Sequence, residues 1–337
     1  MQNHKPGHLP RLLNHPVTVL CLATAALTGM APLAALAQDA FPNKPITLIV
    51  PNPPGGLVDT SARLLNEPLG RILGQPVVIE NRGGGSGNVA YAGVAKSRAD
   101  GYTLLISYSA YHVGNPALTP NLPWAPKDFA PIALLTVATN VITTHPTVPG
   151  NSLKEFTSYA KANPGKLNYA SQGNGSLSHI GTEIFKQQTG SFITHIPYRG
   201  SGAAISDVLA GQVQVFITTP PSVLGHVQSG KLKAHAVTGA TRHPGLPNVP
   251  TTKEAGLPEF QLESWVGLFA PAGTPPTVIA KLTAEVKKAM EAPETKTRAD
   301  AAGIEVRYLG PDALARQVAS ELVYWDKTIK AAKITVE

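Results

Sequence analysis

Between Ile46 and Leu65 the chain passes from an apolar run, through a glycine pair, into an amphipathic stretch. Ile46-Thr47-Leu48-Ile49-Val50 reads as a buried strand. Pro53-Pro54-Gly55-Gly56-Leu57-Val58-Asp59 follows, and Ser61-Ala62-Arg63-Leu64-Leu65 reads as the opening of a helix. A strand that turns into a helix is the first half of a βαβ unit, which commits the chain to parallel strand pairing. Two glycines at the turn leave no Cβ between the backbone and a ligand. The free N–H groups of the helix's first turn face that ligand, and the helix dipole favours a negative one. Without a ligand the same residues make a plain tight turn, and this stretch alone leaves both readings open.

The alternation continues. Expected strands at Ile46–Val50, Val77–Glu80 and Thr103–Ile106 enclose helices near Asp59–Leu73 and Asn88–Ser97, a βαβαβ series. A second series starts after Asn140. Ser152 with Glu155 forms a capping box for a helix that runs to Asn163. Then come strands at Leu167–Ala170, Phe192–Ile196, Val213–Ile217 and Leu232–Val237, with helices at Leu177–Thr189 and Ala203–Leu209. Thr277–Glu291 and Asp312–Ile329 are periodic terminal helices. With 337 residues, 43% of them hydrophobic, the chain is long enough for two such units. No polar linker separates them, so they pack around a cleft, with ligands expected at the C-terminal ends of the strands.

Several segments lie at such ends. Ser171-Gln172-Gly173-Asn174-Gly175-Ser176-Leu177-Ser178-His179 repeats the strand–glycine loop–helix form, with Ser171, Ser176 and the first-turn amides as donors to a carboxylate. The plainer role is a loop with a serine N-cap. Tyr198-Arg199-Gly200-Ser201-Gly202 follows the next strand, with Arg199 either pairing with a carboxylate or lying on the rim. Thr218 and Thr219 end a strand as hydroxyl donors. Asp59 either accepts amide bonds at its helix start or receives a ligand ammonium. Gly83-Gly84-Gly85-Ser86-Gly87 is a helix-entry loop with no sign in the sequence that it reaches the cleft.

Enzyme signatures are missing from the sequence. Gly225-His226-Val227-Gln228-Ser229-Gly230-Lys231 begins like a phosphate loop, but Leu232 stands where Ser or Thr must bind magnesium, and a strand follows. There is no G-x-S-x-G, no H-E-x-x-H and no dinucleotide G-x-G-x-x-G. His179 and Glu183, four apart on a helix, suit packing better than a metal. No metal and no cofactor are expected. The net charge of +7 comes from scattered Lys and Arg with no basic run, which excludes a nucleic-acid partner and suits mild attraction for anions.

Residues 1–37 read as a cleaved signal peptide: Lys5 and Arg11, an apolar core from Val17 to Leu27, and Ala35-Leu36-Ala37 before Gln38. Cys21, the single cysteine, falls inside it, so disulfides and thiolate chemistry are excluded from the mature chain. The expected location is the periplasm.

Taken together, these segments resemble the receptors of the tripartite tricarboxylate transporters, the Bug-type periplasmic binding proteins. The likeness is carried by Pro45–Pro51, Pro54-Gly55-Gly56 with Asp59, Val77–Arg82, Asp100–Leu105, Ser171-Gln172-Gly173 with His179, Pro197–Gly200, Pro247–Gly256 and Ala270–Pro275. The resemblance implies an α/β, two-lobed type II periplasmic-binding-protein (Venus-flytrap) fold, each lobe a mostly parallel sheet flanked by helices. Residues 38–139 plus 262–337 would form one lobe and 140–261 the other. It implies a monomeric receptor for a small organic acid, delivered to a two-subunit membrane permease, and no catalysis. The family's ligand loops fall on Pro54, Gly55, Gly56 and Asp59, and on Ser171, Gly173, Gly175, Ser176 and His179. In such proteins the loop around Tyr198–Gly202, with Tyr198, Arg199 and Gly200, also closes on the ligand. Pro54, Leu57 and Val58 depart from the small residues usual there, which suggests a bulkier, more apolar cleft entrance. Gln214 replaces a usual acid. Competing readings are a secreted enzyme acting on a carboxylate or ester, and a ligand sensor for a membrane kinase.

Overall fold

Residues 41–335 are described by a computed structural model; the expected leader, with Cys21, lies outside the described residues. In chain order the elements are β1 (Ile46–Val50), α1 (Leu57–Leu73), β2 (Val77–Asn81), α2 (Asn88–Ala95), β3 (Thr103–Tyr108), α3 (Asn115–Leu118), β4 (Phe129–Thr139) and β5 (Val141–Thr144). Next come α4 (Leu153–Ala162), β6 (Asn168–Ser171), α5 (Leu177–Thr189), β7 (Thr194–Pro197), α6 (Ser201–Leu209), β8 (Val215–Thr218), α7 (Pro220–Gln228) and β9 (Lys233–Val237). The chain ends with β10 (Glu263–Pro271), α8 (Pro276–Glu291), α9 (Pro293–Ala301), β11 (Glu305–Leu309) and α10 (Pro311–Ala331).

These strands form two sheets, one ordered β11-β4-β10-β3-β1-β2 and the other β7-β6-β8-β5-β9. The two βαβ series supply the parallel part of each: β1 pairs with β2 and β3, and β6 with β7 and β8. Against the expectation of mostly parallel sheets, both are mixed. β10 runs antiparallel to β3 and β4, β11 to β4, and β5 to β8 and β9. The reason is the chain path. It leaves the first sheet along β4 and re-enters along its neighbour β10; it enters the second along β5 and leaves along β9. A strand out and a strand back side by side must be antiparallel.

Both crossings are tied together. Asn140, between β4 and β5, donates its N–H to Thr238 Oγ1 at 2.8 Å and its Nδ2 to Leu262 O at 3.2 Å. Thr238 Oγ1 itself donates to Leu262 O.

The expected helix starts fall within two residues of those observed, α1 opening at Leu57 and α6 at Ser201. Ser152 Oγ accepts the Glu155 N–H at 3.2 Å and Glu155 accepts the Ser152 N–H in return, closing the capping box of α4. The strands β4, β5, β10 and β11 and the helices α3, α7 and α9 were not anticipated. Pro220-Pro221 looks like a break, yet proline fits the first turn of a helix because the N–H it lacks has no partner there. Much of β4 and β10 is buried without a break, so neither shows the alternation of a half-exposed strand. Leu57 and Val58 are 3% and 4% exposed and belong to the main core cluster. They pack in the core instead of lining an open cleft entrance. Gln214 serves the structure, since its Oε1 accepts the Asn168 N–H and its Nε2 donates to Gly211 O. A carboxylate could not make that pair of bonds.

Candidate functional site

The loop after β1 turns at Gly55, whose φ of +95° suits glycine. Gly56 is different. It has ordinary extended backbone, φ −110° and ψ −178°, and caps α1 without a side chain. What demands glycine at 56 is space, because a Cβ there would lie 2.8 Å from Ser201 Oγ at the start of α6. Likewise a Cβ on Gly200 would lie 2.9 Å from Pro53 Cγ. The glycine loops of the two sheets therefore touch across a seam.

Asp59 stands just inside α1 and is saturated from its own side of the seam. Its Oδ2 accepts from Gly55 N–H (3.1 Å) and Arg63 Nε (2.9 Å), and its Oδ1 from Arg63 Nη2 (3.1 Å) and Asn81 Nδ2 (3.0 Å). Burial pushes its carboxyl up, but the bonds from Arg63, Gly55 and Asn81 prevail and hold it below the usual carboxylate range. Four bonds fill the acceptor positions of a carboxylate, so Asp59 shapes the glycine turn.

The loop after β6 is also bonded within itself. Ser176 Oγ accepts the His179 N–H as N-cap of α5, donates to Gly173 O at 2.6 Å and meets Ser178 Oγ at 2.9 Å. Ser171 Oγ lies 2.7 Å from His195 Nε2 and accepts the Gly173 N–H. His179 Nδ1 accepts the Gly175 N–H at 3.2 Å, so its proton sits on Nε2. Its ring stacks on His195 at 4.3 Å, which stacks on Tyr169 at 4.7 Å. Burial lowers both histidines to about 4, keeping them neutral. Glu183 is held by Tyr169 and Lys186, so the His179–Glu183 spacing serves packing.

Other residues reach across or along the seam. Gln172 Nε2 donates to Ser201 Oγ (2.8 Å) and Thr218 Oγ1 (3.1 Å), joining three loops. Tyr198 donates to Asp207 at 2.8 Å, while Arg199 is exposed with no ion pair among the described residues. The loop Gly83–Gly87 reaches the seam after all, since Ser86 Oγ donates to Asn174 O at 2.6 Å. Its approach depends on a tertiary contact that no local pattern announces. From the first sheet, Tyr108 accepts the Leu177 N–H at 3.3 Å.

Three helices begin at the seam without a side-chain cap: α1 at Gly56, α6 at Gly200 and α7 at Thr219. Contact between Gly56 and Ser201, and the Gln172 bridge from Ser201 to Thr218, bring them together. Buried polar atoms without a partner include four on the elements that build the seam, Asn52 Oδ1, Asn115 Oδ1, Thr219 Oγ1 and Ser222 Oγ, while His235 Nδ1 lies away from it, in β9 against Phe156 of α4. Buried polar groups are normally satisfied, so the four at the seam mark a place for a hydrogen-bonding guest. A cavity of about 570 Å³ lies elsewhere, lined by Arg242, His243, Glu263, Lys296 and Asp300. None of the unpartnered atoms lines it, and Arg242 and Glu263 are already paired with Glu254 and Arg307. The seam is the better candidate. Among the described residues no group of three or more His, Cys, Asp or Glu could hold a metal ion. Asn52, Tyr108, Tyr111, Asn115, Gln172, Thr219 and Ser222 went unnoticed as site residues in the sequence, apart from Thr219 as a strand-end hydroxyl. Their one shared signal is position at strand and helix ends.

The chain matches, over residues 61–334, the sequence profile of a family described as tripartite tricarboxylate transporter family receptor. Protein BugT of Bordetella pertussis (strain Tohama I) is 37% identical over 325 residues, covering 96% of this chain and 98% of BugT. A solved structure of a periplasmic transporter superposes with a TM-score of 0.86 at 36% identity, covering 88% of this chain and 100% of the other. R. palustris Rpa4515, solved with adipate, gives a TM-score of 0.85 at 34% identity, covering 88% of this chain and 99% of that one.

Proposed function

The chain belongs to the tripartite tricarboxylate transporter receptor family, a family of solute-binding receptors and not of enzymes, and from that premise we propose that it captures a small organic acid in the seam and delivers it to a two-subunit membrane permease. The two sheets are its two lobes, about residues 38–139 plus 262–337 and about 140–261. It works as a monomer in the periplasm after removal of residues 1–37.

One observation carries this reading. Three uncapped helix N-termini meet at the seam beside Thr219 and Ser222, whose hydroxyls are buried and unpartnered. First-turn N–H groups and hydroxyls are neutral donors suited to a carboxylate. The adipate bound by the R. palustris relative supports the same ligand class. A hydrogen bond to a charged group contributes about 1.5–3 kcal/mol. Four or five are ample for micromolar binding, about −8 kcal/mol, after ordering costs. Neutral donors also let the ligand leave, which a shuttle requires.

The test is a thermal-shift screen of organic acids against their neutral amides and esters. An acid at 100 times its Kd should add about 2.7 kcal/mol of stability, and its amide none. Stabilisation by neutral sugars alone would overturn the proposal.

A further inference from the structure

Asn52, two residues past the end of β1, is 8% exposed, and its Oδ1 has no partner. Its Nδ2 donates to the Tyr111 hydroxyl at 3.3 Å. Tyr111 is 2% exposed, and Asn52 is its only hydrogen-bond partner among the described residues. Burial raises the phenol to about 12, so it carries its proton.

The pair stands between two contacts that cross the seam. Pro53, the next residue, lies against Gly200 of the second sheet's loop. Tyr111 packs edge-on against Tyr108 at 5.1 Å, and Tyr108 accepts the N–H of Leu177 at the start of α5. Tyr111 lies outside the glycine loops, and Asn52 stands at the start of the one that follows β1, ahead of Gly55 and Gly56.

We infer that Asn52 and Tyr111 form a specificity position that recognises a hydroxyl group on the body of the bound acid; this rests on the carboxylate-receptor reading above. As placed, the pair offers an acceptor, Asn52 Oδ1, beside a donor, the Tyr111 O–H. The carboxamide can also turn through a half-circle, exchanging its two ends. Tyr111 then donates to Oδ1, and the N–H groups of Asn52 face the guest. In the first arrangement an ammonium meets only the acceptor and a carboxylate only the donor, and in the second an ammonium meets neither N–H of Asn52. A hydroxyl both donates and accepts, so it satisfies either. Among the described residues no cation pairs with either member to favour a second carboxylate.

Calorimetry on the mature chain tests this with acids that differ by one hydroxyl: malate with succinate, 3-hydroxybutyrate with butyrate, and 4-hydroxybenzoate with benzoate. In the pair that binds, the hydroxy acid should be tighter by about tenfold or more, because a site built to hydrogen-bond a hydroxyl rejects the analogue lacking it. Tyr111→Phe keeps the ring on Tyr108 and removes only the hydroxyl; Asn52→Leu keeps the bulk and removes the amide. Each should bring the ratio to within about threefold while the melting midpoint shows the variant folded. A ratio that persists in both folded variants sinks the assignment. Equal affinities in the unaltered protein, as an ordered water at the pair would give, sink it too while the carboxylate reading stands. If no acid of either kind binds, both readings fall.

Discussion

Gly56 shows how much one missing side chain can decide. Its backbone is extended, so another residue folds there without strain, but any Cβ meets Ser201 Oγ across the seam. Gly56→Val should therefore still fold but lose acid affinity by at least about tenfold, or about 1.4 kcal/mol. Calorimetry paired with a melting curve decides, and unchanged affinity in the folded variant would refute the close-approach role. The buried histidines give a second prediction. Burial holds His112 at about 3 and His179 and His195 at about 4, against about 6.5 in the unfolded chain. Their folded values are depressed, so the unfolded state binds more protons between those limits. The stability they contribute is complete above about pH 6.5 and is lost as pH falls towards about 4. The melting midpoint should drop steadily over that window; a flat profile from about pH 7 to about pH 5 contradicts it.

Among the elements, α4 and α5 begin with a serine N-cap, and only one of them bears on the seam. Ser152 is exposed at the start of α4, while Ser176 is buried and also holds Gly173 O. Ser152→Ala should cost about 1 kcal/mol of stability and leave ligand binding alone. Ser176→Ala should cost at least as much and weaken acid binding too, since the β6–α5 loop loses both its cap and its internal tie. Urea titrations read the first quantity and calorimetry the second. Equal acid affinity in Ser176→Ala and the parent would show that this loop does not shape the site. The βα units and both caps were legible in the sequence because each depends on neighbours a few residues away. The strands β4, β5, β10 and β11 were not: β4 and β10 are long buried runs without alternation, β5 and β11 are only 4 and 5 residues long, and the partners of all four lie in distant parts of the chain.

For the whole molecule, the two crossings at Asn140 and at Thr238–Leu262 are the only links of backbone between the sheets among the described residues. Beyond the backbone, the sheets meet at loop contacts, Gly56 with Ser201, Pro53 with Gly200 and Ser86 with Asn174, and at helix contacts, Leu177 of α5 with Tyr108 and Gln187 with Ala332. A ligand that binds donors from both sides favours the form in which those loops meet, and only a ligand with differential affinity for that form can do so. Small-angle scattering should show compaction on adding the right acid and none with its amide. Compaction by both, or by neither at saturating acid, argues against closure on a carboxylate. N-terminal sequencing of periplasmic protein should begin at or near Gln38, and an intact leader in the membrane fraction would refute export with cleavage.

Local order along the chain was enough to determine the α/β class, the strand–glycine loop–helix units and the loops at strand ends, because hydrophobic period and turn chemistry act over a few residues. The tertiary structure decided which of those groups remain free for a ligand. Asp59, Ser176 and His179 looked like binding residues by position, yet their hydrogen bonds are made within their own side of the seam. Asn52, Thr219 and Ser222 drew little notice in the sequence and are left buried with an unpartnered atom at the seam. Whether a polar atom is spent or free depends on atoms brought to it from distant parts of the chain, and only the folded packing sets those distances.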